Sequence, residues 1–121
     1  MCGGRKMLFI EYPKCSTCRK ALKYLKDSNK EITVRNIVEE TPTKEELIWW
    51  MDKSGLEPKK FFNTSGKVYK ELGLKDKAGS MSKEEIAQML SENGMLIKRP
   101  ILVTDNEVVV GFKEEAYSRC I

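Results

Sequence analysis

The sequence predicts an α/β domain with a mixed sheet of about four strands and a helical insertion between its two halves. A strand–helix–strand pattern opens the chain, a helix-rich block without a convincing strand occupies about residues 40–97, and two β-branched runs with a terminal helix close it. The chain has 121 residues, of which 40% are hydrophobic and 33% charged. This size and composition are typical of one globular domain, so we expect residues 1–121 to form a single domain.

A βαβ unit forms the first half of the predicted sheet. Residues 7–12 have the pattern of a short buried strand that Pro13 ends. Residues 16–29 place their apolar side chains at helical spacing, with Ser16 as the expected N-cap. Residues 32–38 alternate and are rich in β-branched side chains, which favours a second strand. Because a crossover helix joins the two strands, they should be parallel.

The middle of the chain predicts helices with defined starts. Thr43 with Glu46, and Ser82 with Glu85, form capping boxes, each followed by apolar residues at helical spacing. Gly94 is expected to end the second of these helices.

The end of the chain predicts a hairpin and a helix. Residues 101–104 and 108–111 flank Asp105-Asn106, a favourable tight-turn pair, and residues 113–120 can form a short helix. The order βαβ, helices, ββα is that of a thioredoxin core with a helical insertion. Another small α/β domain is the alternative.

Composition excludes several classes of function. The net charge is +4, but acidic and basic residues are interleaved along the chain, so we expect a solvated surface and no nucleic-acid partner. The chain has no histidine, which removes Ser-His and Cys-His catalysis and histidine metal sites. No apolar run approaches the roughly 20 residues of a membrane span, and no export signal is recognisable. We therefore expect a cytoplasmic monomer that does not bind membranes.

The motif Cys15-Ser16-Thr17-Cys18 carries the chemistry that the sequence predicts. A Cys-x-x-Cys at a helix start places the first sulfur at the end of the helix axis and the second one turn inside. Exposed backbone N–H groups and the helix dipole favour a thiolate on Cys15, and Lys14 and Arg19 add positive potential. Cys15 is therefore the expected nucleophile, and Cys18, on the apolar stripe, would resolve a mixed disulfide.

Two alternatives stay open for this motif. It could be half of a zinc site, but such a site needs a second cysteine pair or histidines, and Cys2 and Cys120 do not form such a pair by spacing. We expect no metal, and we expect these two cysteines to be free thiols. The other alternative is coincidence, with Cys18 as an inert core residue.

Arg99-Pro100 is a second candidate site. The order of elements places it just before a strand that would run beside the N-terminus of the first helix. A cis proline there would hold backbone close to Cys15 for an extended substrate, and Arg99 could pair with an anion or with the thiolate. Equally, Pro100 could simply start a strand beside a surface arginine. The run from Asn63 to Gly66 is either a polar loop near the site or a helix N-cap.

Four segments resemble the arsenate reductase (ArsC)/Spx family, in the family's order. They are Tyr12-Pro13-Lys14-Cys15-Ser16-Thr17-Cys18-Arg19-Lys20-Ala21, Phe62-Asn63-Thr64-Ser65-Gly66-Lys67, Lys98-Arg99-Pro100-Ile101 and Val110-Gly111-Phe112. The resemblance implies a thioredoxin-like fold with a helical insertion. It extends over nearly the whole chain.

The resemblance to the arsenate reductases implies that Cys15 attacks arsenate and that Arg99 is one of three arginines that hold the oxyanion. Asn63 and Phe112 stand at the positions of the other two. Similarity to the Spx-like regulators implies instead a redox-sensitive cysteine pair in a protein that contacts the RNA polymerase α subunit.

Together these observations favour a thiol–disulfide oxidoreductase with Cys15 as nucleophile and Cys18 as resolving thiol. Lys14, Thr17, Asn63, Arg99 and Pro100 are its expected substrate-binding residues. No bound cofactor is expected. Glutathione, a glutaredoxin or a thioredoxin would supply electrons.

Overall fold

The computed structural model describes residues 7–27, 32–64, 66–104 and 107–120, without the side chain of Cys120. The chain divides into two compact units. Residues 37–98 form one of them, and the segments before and after that block form the other. The predictions for the Asp105-Asn106 turn and for the thiols of Cys2 and Cys120 lie outside the described residues and side chains. No helix within the described ranges combines the length and hydropathy that a membrane span requires.

The first unit contains the sheet and two helices. Its elements are β1 (Met7–Glu11), α1 (Ser16–Lys26), β2 (Ile32–Asn36), β3 (Ile101–Val103), β4 (Val108–Val110) and α6 (Glu114–Cys120). The strand order is β2-β1-β3-β4. β1 pairs in parallel with β2, as the βαβ prediction requires, and antiparallel with β3, which pairs antiparallel with β4. The prediction of an α/β, thioredoxin-like fold with a mixed four-stranded sheet is confirmed.

One face of this sheet is covered by α1 and α6. Period-two alternation puts Met7 and Phe9 of β1 on that face, where they pack with Ala21 and Leu25 of α1. The cluster is completed from the other elements by Leu102, Val109, Ala116 and Tyr117. The apolar stripe of the predicted helix is therefore the surface that holds α1 against the sheet.

The second unit is mainly helical. It contains α2 (Lys44–Ser54), α3 (Lys67–Glu71), α4 (Leu74–Lys77) and α5 (Lys83–Glu92), with 3₁₀ turns at Pro58–Phe61, Ala78–Ser80 and Gly94–Leu96. Both capping boxes form: the side chains of Thr43 and Ser82 each accept a hydrogen bond from a backbone N–H at 3.1 Å. Among the described residues of this unit, the β pairing is a single bridge between Phe62 and Ile97.

Gly94 follows the C-cap of α5, as the sequence predicted, but it does not adopt the left-handed conformation that usually favours glycine there. The C-cap is Asn93, whose side chain accepts a hydrogen bond from the Met95 N–H, and Gly94 starts the following 3₁₀ turn. Gly94 lies directly against the Ile37 carbonyl and close to Thr41, so a Cβ at this position would collide with the backbone. Glycine is required here by a close approach of two chain segments rather than by a left-handed cap.

Candidate active site at the start of α1

Cys15 is the N-cap of α1, with extended backbone angles of φ −87° and ψ 121°. Its N–H donates to the Tyr12 carbonyl at 2.9 Å, and its carbonyl accepts from the Arg19 N–H at 3.1 Å. The prediction that Ser16 caps the helix was wrong by one residue, since Ser16 is already helical. The correction places the Cys15 side chain where the first unpaired N–H groups of the helix point.

The surroundings of Cys15 stabilise its thiolate. Partial burial works against ionisation, but the backbone N–H groups of Cys18 and Thr17 and the Cys18 thiol face the Cys15 sulfur, and Arg99 adds positive charge. The net effect lowers the pKa of Cys15 below its usual value. The thiolate is the nucleophilic form, so the Cys15 sulfur at the N-terminus of α1 is activated.

Cys18 has the opposite character. Its side chain is fully buried on the helix stripe with Ala21 and Leu25. Burial, with smaller contributions from Cys15 and Glu11, raises the pKa of Cys18 to about 12, although a hydrogen bond from the Tyr12 backbone opposes this. Cys18 is therefore a protonated thiol beside an activated one. Within the described residues, no three Cys, Asp or Glu side chains gather into a group able to hold a metal ion.

Arg99 joins this site from the segment just before β3. Its guanidinium carbon lies 4.9 Å from the centre of the Tyr12 ring, and its charge acts on Cys15. The Arg99 Nε and Nη1 atoms are buried and find no hydrogen-bond partner among the residues that the structure describes. A guanidinium with two buried, open donors, next to a nucleophilic sulfur, is suited to hold an anionic group of a substrate.

Pro100 follows Arg99 through a cis peptide bond, the isomer considered from the sequence. The Pro100 carbonyl accepts a hydrogen bond from the Gly111 N–H at 2.7 Å. This hydrogen bond uses one acceptor position of the Pro100 carbonyl. It links the residue just before β3 to the residue just after β4.

The remaining predicted substrate-binding residues have different placements. Lys14 is exposed at the turn before Cys15, and Thr17 is exposed on α1, where its N–H faces the Cys15 sulfur. Asn63 belongs to the other unit, where its N–H donates to the Leu96 carbonyl at 2.7 Å and its carbonyl accepts from the Gly66 N–H at 3.0 Å. Its predicted contact with substrate stays a prediction.

Two residues at this site were not singled out by the sequence reasoning. Tyr12 supplies the ring against which Arg99 lies, and an aromatic residue before Pro13 was the available signal. Glu11 is buried at the end of β1, and its charge acts on Cys18. A carboxylate that ends an otherwise apolar strand was the signal there.

The sequence and fold are similar to proteins of several kinds. The uncharacterised protein YusI of Bacillus subtilis is 51% identical over 111 residues, covering 92% of this chain and 94% of that protein. The regulatory protein MgsR of the same species is 32% identical, and the alignment covers 89% of this chain and 84% of MgsR. An arsenate reductase of Yersinia enterocolitica is 34% identical, and the alignment covers 76% of this chain and 64% of that protein.

Among solved structures, an ArsC-family-related protein from Bacteroides fragilis superposes with a TM-score of 0.92 at 52% identity. The alignment covers 95% of this chain and 97% of that one. The family model described as the ArsC family matches residues 10–120, a range that includes both cysteines of the motif and Arg99. By sequence and by structure, this chain belongs to the ArsC family.

Proposed function

We propose that this chain is a thiol–disulfide oxidoreductase within the ArsC family, acting on an oxidised or glutathione-linked substrate in the cytoplasm. The observation that carries the proposal is the opposite ionisation of two neighbouring thiols. The pKa of Cys15 is lowered, and the pKa of Cys18 is raised to about 12. One sulfur is prepared to attack, and the other keeps its proton until a mixed disulfide has formed.

The proposed reaction exchanges one disulfide for another. The Cys15 thiolate attacks one sulfur of the substrate disulfide, a Cys15–substrate disulfide forms, and the first substrate thiolate leaves. Cys18 then attacks the Cys15 sulfur, so that a Cys15–Cys18 disulfide forms and the second substrate thiolate leaves. The substrate gains two electrons and the protein loses two. Glutathione, a glutaredoxin or a thioredoxin returns them.

Arg99 supports an anionic substrate in this scheme. Glutathione carries two carboxylates, and the open Nε and Nη1 donors of Arg99 can bind one of them while the sulfur is attacked. We expect backbone at Pro100 to hold the extended part of the substrate. We place Lys14, Thr17 and Asn63 in the same binding role.

The proposal is tested by replacing each cysteine in turn. Cys15→Ser should abolish reduction of a glutathione mixed disulfide. The reaction is measured as NADPH consumption by coupled glutathione reductase. Cys18→Ser is the matched control, because it keeps the nucleophile and should retain a monothiol reaction with glutathione. Wild-type-like turnover by Cys15→Ser would remove the proposal.

Arsenate reduction is a second candidate, favoured by the two open donors of Arg99 and by similarity to the Yersinia enterocolitica arsenate reductase. The ring of Phe112, where the resemblance expects an arginine, packs 5.7 Å from Tyr24 and 5.1 Å from Tyr117, centre to centre. Each missing charged donor would cost about 1.5–3 kcal/mol of oxyanion binding. Arsenate-dependent NADPH oxidation with glutathione and glutaredoxin, lost in Arg99→Gln, would favour this candidate; no turnover would remove it.

A redox-controlled regulator is a third candidate, favoured by the similarity to MgsR together with the Cys15–Cys18 pair. Such a protein would bind the C-terminal domain of the RNA polymerase α subunit. Pull-down of that domain with reduced and with oxidised protein separates this candidate from the enzymes. Redox-dependent capture would favour regulation, and no capture in either state would remove it.

A further inference from the structure

Glu11 is a buried carboxylate that the scheme above leaves without a role. It ends β1, directly before the turn that carries the cysteines. Only 8% of its surface is exposed, and Glu11 is the one charged residue in the buried class among those the structure describes. A buried carboxylate is costly, so it calls for a functional explanation.

The strand and helix geometry place Glu11 opposite Cys18. Alternation along β1 puts Glu11 on the same face as Phe9, the face that packs against α1. Cys18 lies on the side of α1 that faces the sheet, one turn before Ala21 on the buried stripe. Both side chains therefore lie in the layer between strand and helix.

A hydrogen bond fixes the height of Cys18 along the strand. The backbone of Tyr12, the residue next to Glu11, bonds to the Cys18 thiol. The Cys18 sulfur thus lies at the very end of β1, and the Glu11 charge acts directly on it.

We propose that Glu11 is a catalytic residue that accepts the proton of the Cys18 thiol when Cys18 attacks the mixed disulfide. The inference rests on the proposed function and names the base of its second step. The Cys18 proton moves to the Glu11 carboxylate and the Cys18 sulfur forms a bond to the Cys15 sulfur. The bond between Cys15 and the substrate sulfur then breaks, and the substrate thiolate leaves with the electron pair. Glu11 later returns the proton to solvent.

The number of buried negative charges favours this transfer. While Cys15 is a thiolate, its charge and hydrogen bond help to hold the proton on Cys18. Formation of the mixed disulfide removes that negative charge. Passing the proton from Cys18 to Glu11 then keeps a single negative charge in the buried layer, whereas loss of the proton to water would leave two adjacent anions.

The ionisation of Glu11 fits the role. Burial raises the pKa of Glu11, and the charge of Lys26 on α1 opposes that shift. Cys18 on α1 is a further titratable group on which the Glu11 charge acts. On β2 the paired residue is Asn36, which does not titrate. A carboxyl group with a raised pKa is a stronger base and a closer match to a thiol.

The test separates the two steps with an aromatic disulfide, dithiobis(nitrobenzoate), in a Cys2→Ser, Cys120→Ser background. Attack by Cys15 releases one coloured thiolate, and resolution by Cys18 releases a second. Glu11→Gln should leave the first release nearly unchanged and slow the second about a hundredfold at neutral pH. In Glu11→Gln, the rate of the second release should also rise tenfold per pH unit. In the background protein with Glu11 intact, that rate should level off once Glu11 is ionised.

The direction of the effect distinguishes a base from a bystander. If Glu11 only repels the Cys18 thiolate, its neutral replacement makes Cys18 easier to ionise and the second release becomes faster, which overturns the inference. Glu11→Asp keeps the carboxylate and should recover part of the rate. If Glu11→Gln does not fold, the background protein still tests the inference. A rate of second release that rises with pH without levelling off overturns it. Absence of the first release overturns the proposed function itself.

Discussion

Gly94→Ala should destabilise the protein through a clash between two backbone segments. The added Cβ would collide with the carbonyl oxygen of Ile37 and lie 3.3 Å from the Thr41 Oγ1. Because a carbonyl in the main chain cannot rotate away like a side-chain tip, the 3₁₀ turn itself must shift. Overpacking of this kind costs about 2 kcal/mol. At roughly 3–6 °C per kcal/mol for a chain of this length, Tm falls by roughly 6–12 °C.

Gly79→Ala is the matched control in the same helical unit. A Cβ there meets nothing within 4 Å. The substitution should leave the free energy of unfolding unchanged or raise it by about 0.4–1 kcal/mol, because alanine restricts the unfolded chain. Thermal unfolding followed by circular dichroism measures both variants. The reasoning is refuted if Gly94→Ala melts at or above the temperature of Gly79→Ala.

Further predictions concern the thiols and the helix caps. Alkylation by iodoacetamide as a function of pH should show Cys15 ionising below the ordinary cysteine value of about 8.5, with Cys18 unreactive until near 12. Arg99→Gln should move the Cys15 profile to higher pH, because it removes a charge that stabilises the thiolate; an unmoved profile contradicts this role. Since the folded-state pKa of Cys15 is lowered, its thiolate adds stability above the unfolded-state pKa, and that stability is lost as the pH falls through the folded-state pKa. Thr43→Ala should lower the free energy of unfolding by about 1 kcal/mol in urea titrations, and Ser82→Ala by a similar amount; unchanged midpoints would show that these caps contribute nothing.

Elements with a strong local signal could be predicted from the sequence. The stripe of Cys18, Ala21 and Leu25 has the period of a helix, and these residues are the buried face of α1. The capping boxes are self-contained, because each needs only two side chains and the backbone between them. The parallel β1–β2 pair followed from the crossover helix that joins its strands.

Features that depend on distant segments could not be predicted in this way. The clash that makes Gly94 necessary involves Ile37, which is far away in sequence. The open donors of Arg99 depend on burial, and its place over Tyr12 depends on the pairing of β1 with β3. Glu11 was read as part of a strand, since period-two alternation says which face a residue takes but not that a carboxylate there would be buried.

The antiparallel ladder between β1 and β3 links reactivity to folding. It joins Ile10 to Ile101, so chain ends separated by the entire helical block must meet before Arg99 can act on Cys15. A chain in which those segments have not met lacks the Arg99 charge, which is one of the effects that lower the pKa of Cys15. The rate at which an electrophile labels the Cys15 sulfur should consequently depend on whether this ladder has formed.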